Sequence, residues 1–526
     1  MSVIKQKNDL YSKLDSICDE LRKTMDPTEY RNYILGFIFY KFLSEKFLKK
    51  ADEALENDDI KYMELQDDNP KHQKSLEYVN EYLLDDLGYF IKKEYLFSSW
   101  IEKIANDEYV IPLIEESFRE LENSSKGTSS NNPFSHLFDD INLTSNKLGN
   151  TEKQKEISVK HVLNNLAQID FSLDDSKIDI LGDAYEHLIA NFAKDAGKKA
   201  GEFYTPQEVS KILAKIVTCG KTKINNAYDP TCGSGSLLLQ ITKLVEVPKI
   251  YGQEMKDTTY NLARMNMFLS GRQFHEFDIK CQDTIFHPEH IDVVEKLKGF
   301  DAIVANPPFS LPWNPDATLE TDPRFIGYGK LAPKSKMDYA FIQHMLYCLS
   351  ENGVMATVVP HGVLFRGAAE ETIRKYIVDN KNWLDAVIGL PANIFYGTSI
   401  PSCIMVFKKN RRRDAKVLFI EASREFEKGK NQNILTDENI EKIISTYKDR
   451  KEIEKYSREV SLDEIKENDF NLNITRYIDT FEDEEEIDID AINLELEKIN
   501  KEILETEKQI QSMISELVET GGNKDE

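Results

Sequence analysis

From about residue 170 onward, short apolar runs alternate with stretches of helical periodicity, and that alternation leaves few folds open. Strands are expected at Asn226–Tyr228, Lys249–Gly252, Asp278–Gln282, Phe300–Ala305, Val354–Val359, Leu384–Gly389 and Cys403–Phe407. Helical patterns fit between most of them, for example Ser236–Val245 and Lys256–Ser270. Strands that alternate with helices imply parallel pairing through helical crossovers, an α/β doubly wound sheet. No internal repeat is visible.

The flanks have a different texture. Up to about residue 165 the chain reads helical. Asp26-Pro27-Thr28-Glu29 is a helix start, with Asp26 as N-cap, Pro27 in the first turn and Glu29 at the third position. Ile34, Leu35, Ile38, Phe39, Phe42, Leu43 and Phe47 follow at a spacing near 3.6, the pattern of a helix packed into a core. The stretch 122–133 is a polar, turn-rich loop. Beyond about residue 480 comes an acidic run, FEDEEEIDID. Ile489, Ile492, Leu496, Ile499, Ile503, Thr506, Ile510, Met513 and Leu517 then recur at alternating spacings of three and four, with Thr506 the one polar member. A heptad seam this narrow asks for a partner helix, in its own domain or in another subunit. The expected organisation is therefore a helical domain over 1–165, an α/β domain over 166–480 and a helical tail over 481–526.

Composition restricts the setting. With 526 residues, 40% of them hydrophobic and 30% charged, the chain is long enough for several cores and is neither disordered nor membrane-like. Its greasiest stretch, 33–40, is closed by Lys41, far short of the roughly 18 apolar residues of a membrane span. The opening MSVIKQKNDL has no signal-peptide core. Six cysteines lie scattered with no CxxC pair, which points to a reducing, cytoplasmic setting and away from zinc. A net charge of −25 excludes a stand-alone DNA binder that works by counterion release; contact with nucleic acid needs a local basic patch or a basic partner.

One loop looks built for a small ligand. Tyr228-Asp229-Pro230-Thr231-Cys232-Gly233-Ser234-Gly235-Ser236 leaves a predicted strand and opens a helix. Its glycines admit close backbone approach, and the helix start offers free N–H groups. Nineteen residues past Gly235, Glu254 ends the next strand, where a carboxylate suits ribose hydroxyls. The loop lacks both the three-glycine dinucleotide pattern and a Gly-Lys-Thr, so a nucleoside without phosphates, such as S-adenosylmethionine, fits better than NAD. Gln282-Asp283-Thr284 follows the third strand, and Asp283 there is placed to accept from an adenine amino group.

Asn306-Pro307-Pro308-Phe309 follows the strand Phe300–Ala305. DPTCGSG with NPPF, in this order and spacing, resembles an S-adenosylmethionine-dependent methyltransferase acting on a planar exocyclic nitrogen. Upstream, Gly201-Glu202-Phe203-Tyr204-Thr205-Pro206, continued by Gln207, is similar to the segment that closes over the cofactor's methionine part in amino-methylating DNA enzymes of the γ arrangement. More narrowly, LGDAYEHLIANFA, GKKAGEFYTP, DPTCGSGSLLL, ANPPFS and the N-terminal LRKTMDPTEYRNYILGFIFYKFLSEKF resemble the modification subunit of type I restriction-modification systems, across essentially the whole chain. That resemblance implies a Rossmann-like methyltransferase domain that binds Glu202, Phe203, Tyr204, Thr205, Pro206, Gln207, Asp229, Gly233, Ser234, Gly235, Ser236, Glu254 and Asp283 to its cofactor. It also implies adenine-N6 methylation of double-stranded DNA on a flipped base, with no metal and no membrane. The resemblance further implies that two such chains join one specificity subunit, which reads the sequence, and that restriction subunits can join.

The chemistry accounts for the residue types. An aromatic amino group is a poor nucleophile because its lone pair is delocalised. Bonds from it to the Asn306 oxygen and the Pro307 carbonyl favour a more tetrahedral nitrogen, and the prolines fix the turn that brings both acceptors together. Phe309 is placed to stack on the base. Asn306 carries no charge and positions the nitrogen. Alternatives within this chemistry are an RNA guanine-N2 or protein-glutamine methyltransferase; outside it, a cofactor-binding scaffold without activity.

Four further features carry expectations. The long loop from Ser310 to Lys336 is assigned to substrate contact. Asp338-Tyr339-Ala340-Phe341 matches a helix start of the family, and His361 is read as a packed or capping residue. Lys408-Lys409-Asn410-Arg411-Arg412-Arg413 is read as an exposed hairpin tip or as a phosphate or subunit contact, and Lys194, Lys198 and Lys199 as residues near the DNA.

Overall fold

A computed structural model describes residues 10–18, 27–66, 68–125, 132–171, 175–195, 204–292, 296–395, 398–430, 432–480 and 489–521. They form two compact units, Met1–Ile478 and Asp479–Glu526. The first begins with helices α1 (10–18), α2 (Pro27–Ala54), α3 (Pro70–Leu87), α4 (Phe97–Ala105), α5 (Ile111–Ser124) and α6 (Glu152–Ala167). Asp26, the expected cap of α2, lies outside the described residues. Local signals set several ends. Asn69 accepts from the Lys71 N–H ahead of Pro70, and Gly88 takes the left-handed φ of 81° that stops α3. Thr151 and Gln154 cap each other's backbone at the start of α6. The α2 stripe is buried as expected, but so are Phe37 and Tyr40 between its members. This helix is thus the hub of the helical part, wrapped on nearly all sides, and has no solvated face over that stretch.

The chain then enters the α/β part through α7 (Asp175–Asp195) and α8 (Gln207–Val217). Strands β1 (Asn226–Asp229), β2 (Lys249–Glu254), β3 (Phe277–Cys281), β4 (Phe300–Ala305), β5 (Leu349–Pro360), β6 (Leu384–Gly389), β7 (Ser402–Lys408) and β8 (Val417–Glu421) follow. A two-residue ladder, β9 (Glu427–Lys428) with β10 (Asn433–Ile434), stands apart, and β11 (Ser457–Val460) closes the main sheet. The helices among them are α9 (Ser236–Thr242), α10 (Asp257–Leu269), α11 (Asp338–Cys348), α12 (Ala369–Lys375), α13 (Asp437–Asp449) and α14 (Leu462–Glu467).

The nine strands run in the order β11-β8-β6-β7-β5-β4-β1-β2-β3. The expected parallel pairing holds from β3 through β1 to β5. It fails at β7, which is antiparallel to both β5 and β6. The link from Gly389 to Ser402 carries no helix among its described residues, so the chain turns straight back and slots between two earlier strands. β11 also pairs antiparallel, with β8. The sheet is therefore mixed. Its order reverses between β1 and β4, which opens a crevice at the carboxyl ends of those strands.

The helical and α/β parts share one core. Phe39 of α2 and Phe134 both pack on Phe268 of α10, at ring-centroid distances of 5.9 and 4.8 Å. Arg264 of α10 donates to the Pro133 and Ser135 carbonyls at 3.0 and 2.9 Å, and Asn261 donates to the His136 carbonyl at 2.8 Å.

The second unit, taken by itself, is one helix, α15 (Ile489–Gly521). Its seam residues Leu496, Ile499, Ile503, Ile510 and Met513 are exposed. Ile489, Ile492 and Leu517 lie outside the described side chains, and most of the acidic run lies outside the described residues. Among the described residues, no helix is long and apolar enough to cross a membrane.

Candidate active site

The site sits where β1 and β4 end side by side. Asp229 closes β1, and its Oδ1 accepts the Thr231 N–H at 2.9 Å, which starts the turn. Gly233 and Gly235 then take φ of 54° and 77°, a left-handed path that a side chain would strain. A Cβ on Gly235 would also meet Met267 of α10 at 2.5 Å. The loop is held from outside by the Cys232 N–H on the Gln253 carbonyl at 3.0 Å and by the Asn266 amide on the Ser234 carbonyl at 3.0 Å. Ser234 and Ser236 share a hydroxyl contact of 2.9 Å at the start of α9.

Glu254 ends β2 facing this loop. Its Oε2 accepts the Gly233 N–H at 3.1 Å and its Oε1 the Lys256 N–H at 2.9 Å. Each carboxylate oxygen still has a lone pair for a ligand hydroxyl. Burial raises the Glu254 pKa, while the N–H groups of Lys256 and Gly233 oppose the rise. Asp283, just past β3, spends Oδ1 on the N–H groups of Ile285 and Phe286, at 2.8 and 3.0 Å. A ligand amino group would therefore meet Oδ2.

Burial pushes the Asp229 carboxyl up to about 7, against the Thr231 N–H, with the Glu254 charge adding to the rise. Between the ordinary carboxyl value of 3.8 and about 7 the folded chain then holds a proton that the unfolded chain has lost. Stability contributed by this group therefore falls as pH rises through that window. Asp229→Asn is expected to flatten the fall. Thermal melts of both proteins without ligand, from about pH 5 to about pH 8, would measure it; parallel pH curves would refute the assignment.

Asn306 leaves β4 directly into the same space. Its Nδ2 donates to Thr205 Oγ1 at 3.1 Å, and its Oδ1 is buried with no hydrogen-bond partner among the described residues. Tyr204, Thr205, Asp229, Gly233, Ser234, Ser236 and Asn306 line one pocket. The structure thus brings the glycine loop, the segment ahead of α8 and the NPPF turn together. Gln207 instead reaches sideways to Glu186 of α7, at 3.3 Å. Lys198, Lys199, Glu202 and Phe203 lie outside the described residues, and Lys194 outside the described side chains. Pro307 is buried. Phe309 is half-buried and meets Phe395 edge-to-face, with ring centroids 5.8 Å apart.

Several supporting residues had no sequence signal. Ser310 follows NPPF at a φ of 51°, held by its N–H on Asp338 Oδ1 at 2.8 Å. Arg366 donates to Asp338 Oδ2, to Glu370 Oε1 and to Ser310 Oγ, at 3.0, 3.0 and 3.2 Å. Asp338 is therefore both a helix start and the brace of the NPPF turn. The loop after Ser310, assigned to substrate contact, is itself well packed: Trp313, Phe325 and Tyr328 are buried, and Trp313 Nε1–H bonds the Pro333 carbonyl. His361 is half-buried and its Nε2 meets the Ser402 carbonyl at 3.1 Å.

The basic run is not a hairpin tip, because β7 and β8 flank β6 on opposite sides. Lys408 and Arg411 turn back onto the buried Asp385, at 2.8 and 3.4 Å, and Arg450 joins them at 3.3 Å. These three cations hold the Asp385 carboxyl below its usual value despite burial. Arg412 and Arg413 remain at the surface.

The family described as N-6 DNA Methylase matches residues 176–486, and the family described as HsdM N-terminal domain matches residues 10–166. The chain is similar to the type I restriction enzyme MpnII methylase subunit of Mycoplasma pneumoniae, at 36% identity over 98% of this chain and 96% of that one. It is similar to the MjaVIII methylase subunit of Methanocaldococcus jannaschii at 31% identity, over 97% and 85%. Among solved structures, the type I restriction-modification system methyltransferase subunit from Streptococcus thermophilus matches with a TM-score of 0.83 and 42% identity, covering 90% of this chain and 100% of that one.

Proposed function

This chain belongs to the N-6 DNA methylase family, and on that premise we propose how it works. It is an adenine-N6 DNA methyltransferase, the methylase subunit of a type I restriction-modification system, with the S-adenosylmethionine-dependent methyltransferase fold. The observation that carries the mechanism is Asn306 Oδ1, a buried acceptor with no partner among the described residues, in a pocket it shares with the glycine loop. Such an oxygen is costly to bury unless a donor arrives. The amino group of an adenine is that donor.

S-adenosylmethionine fits the remaining groups and supplies an electrophilic methyl when bound. Gly233, Ser234, Gly235 and Ser236 would approach it with backbone, Glu254 would hold the ribose hydroxyls and Asp283 Oδ2 would accept from the adenine amino group. Tyr204, Thr205 and Asp229, which line the pocket, would enclose its methionine part. On the substrate side, the amino group of the flipped base donates hydrogen bonds to Asn306 Oδ1 and the Pro307 carbonyl, and Phe309 stacks on the ring. Pro307 and Pro308 hold the turn. Asn306 is uncharged, so it aims the nitrogen and does not take its proton.

We assign three parts to this work: the helical domain 1–165, the methyltransferase domain 166–480 and the segment 481–526 with its coiled-coil-like helix. The exposed seam of α15 and the net charge of −25 support an assembly in which a specificity subunit brings two of these chains to double-stranded DNA. Restriction subunits complete the complex, in the cytoplasm. Labelled S-adenosylmethionine offered to the chain plus its specificity subunit tests the reading. Label on adenine N6 of DNA is expected; label on RNA or protein instead would refute it.

Glu254→Ala is expected to weaken cofactor binding about 10- to 100-fold, as for a lost hydrogen bond to a charged group of about 1.5–3 kcal/mol. The ribose is remote from the reacting methyl, so saturating cofactor should restore much of the rate. Calorimetric titration that returns the wild-type dissociation constant would remove Glu254 from the site.

A further inference from the structure

We propose that Arg324 is a positioning residue that joins the loop on the substrate side to the segment beside the cofactor's adenine, so that the two halves of the site are set by one guanidinium. The inference rests on the reading of the site given above.

Arg324 lies in the long loop after NPPF, yet its side chain is only 4% exposed. All of its side-chain nitrogens are used. Nε donates to both oxygens of Asp322 at 3.0 Å, and Nη2 adds a third bond to Asp322 Oδ2 at 2.7 Å, so the charge is neutralised within the loop. The remaining donors leave the loop. Nη1 reaches the Thr284 carbonyl at 3.2 Å and Nη2 the Ile285 carbonyl at 2.7 Å. These carbonyls belong to the turn whose N–H groups Asp283 holds. The turn that carries Asp283 is thus gripped on its N–H side by Asp283 and on its C=O side by Arg324. Thr284 Oγ1–H in turn bonds the Pro230 carbonyl of the glycine loop.

A second contact runs the same way. Trp313 of the loop packs against Phe286 of the turn, with ring centroids 6.2 Å apart. A third connects to β1. Arg324 Nη1 also donates to His344 Nδ1 at 3.1 Å, which places the imidazole proton on Nε2, where it meets Tyr228 Oη at 3.1 Å. Tyr228 precedes Asp229. One planar fork therefore ties the substrate loop, the Asp283 turn and, through a buried imidazole on α11, the strand that opens the glycine loop. A lysine has neither the plane nor the number of donors to do this.

The consequence is a mixed signature. A residue that only holds cofactor changes affinity; one that only aims the target nitrogen changes rate. Arg324→Lys is expected to do both: at least tenfold weaker S-adenosylmethionine binding, and at least tenfold slower single-turnover methylation by the assembled complex at saturating cofactor. The affinity losses of Arg324→Lys and Asp283→Ala should add to less than their sum in the double variant, because both act through one turn. Both effects are read at a temperature where melts show the variants folded, which separates positioning from stability. Asp322→Asn, in a half-buried and milder position, should slow the single-turnover rate with the same sign. It decides alone if Arg324→Lys fails to fold. Wild-type affinity and rate in folded Arg324→Lys, or in Asp322→Asn where that variant stands alone, would overturn the inference. Failure of the wild-type chain to bind S-adenosylmethionine would instead sink the reading of the site.

Discussion

Asn306→Ala is expected to abolish methyl transfer while leaving cofactor affinity nearly unchanged. Asn306 Oδ1 has no partner among the described residues, while its Nδ2 is tied to Thr205. Removing the amide deletes an acceptor used most strongly as the nitrogen becomes tetrahedral. The loss should be at least about 3 kcal/mol, roughly two orders of magnitude in rate. The glycine loop and Glu254 are anchored to β2 and α10 and do not depend on it. Asn306→Asp makes the test sharper. It keeps an acceptor oxygen but loses the bond to Thr205 and buries a charge, so it should retain more activity than the alanine variant and less than the wild type. Single-turnover assays with saturating cofactor, beside calorimetric titration, give both quantities. Substantial turnover in Asn306→Ala would strip Asn306 of its role.

Deleting everything after Thr480 should have an effect as large, by another route. Every residue assigned to cofactor or target lies in the first unit, and α15 belongs to the second. The shortened chain should fold and bind S-adenosylmethionine with unchanged affinity. It should no longer co-purify with the specificity subunit, and methylation of the target sequence should disappear with the complex. The seam along α15 is the reason: a helix of 33 residues spans about 50 Å and exposes an apolar edge along it. Size-exclusion chromatography of the shortened chain with its partner decides. A methylating complex formed without α15 would make the seam irrelevant to assembly.

What was legible in the sequence follows the range of each interaction. β4 and β6 are apolar runs interrupted by a single Asp each, and β1 leads straight into the turn residues Asp229-Pro230; these are local signals, and the strand ends fell within a residue of expectation. A doubly wound sheet places ligand groups at strand ends, so position alone nominates Glu254 and Asn306. The direction of β7 was not visible, since pairing partners are a long-range property and an apolar run has no polarity. β8 is equally apolar but sits between the basic run and α13, which hid it, and β11 contains Arg458 and Glu459 and lacks the expected pattern. Arg366, Glu370 and Phe395 brace the NPPF turn from distant parts of the chain. Arg411 looked like a solvated cation until Asp385, in another strand, was seen to claim it.

Helix α10 has a consequence for how a gene of this kind can be cut. One side of it supports the cofactor loop, through Asn266 on Ser234 and Met267 under Gly235. The other side is gripped by the helical part, through Arg264, Asn261 and Phe268. Fission before the methyltransferase region would bare the Phe268 face and unseat the wall on which the loop rests. The first third of the coding sequence is therefore not a detachable module that recombination can exchange for a foreign one. It would have to travel with its matching α10, so inheritance of the two parts is coupled by a single helix.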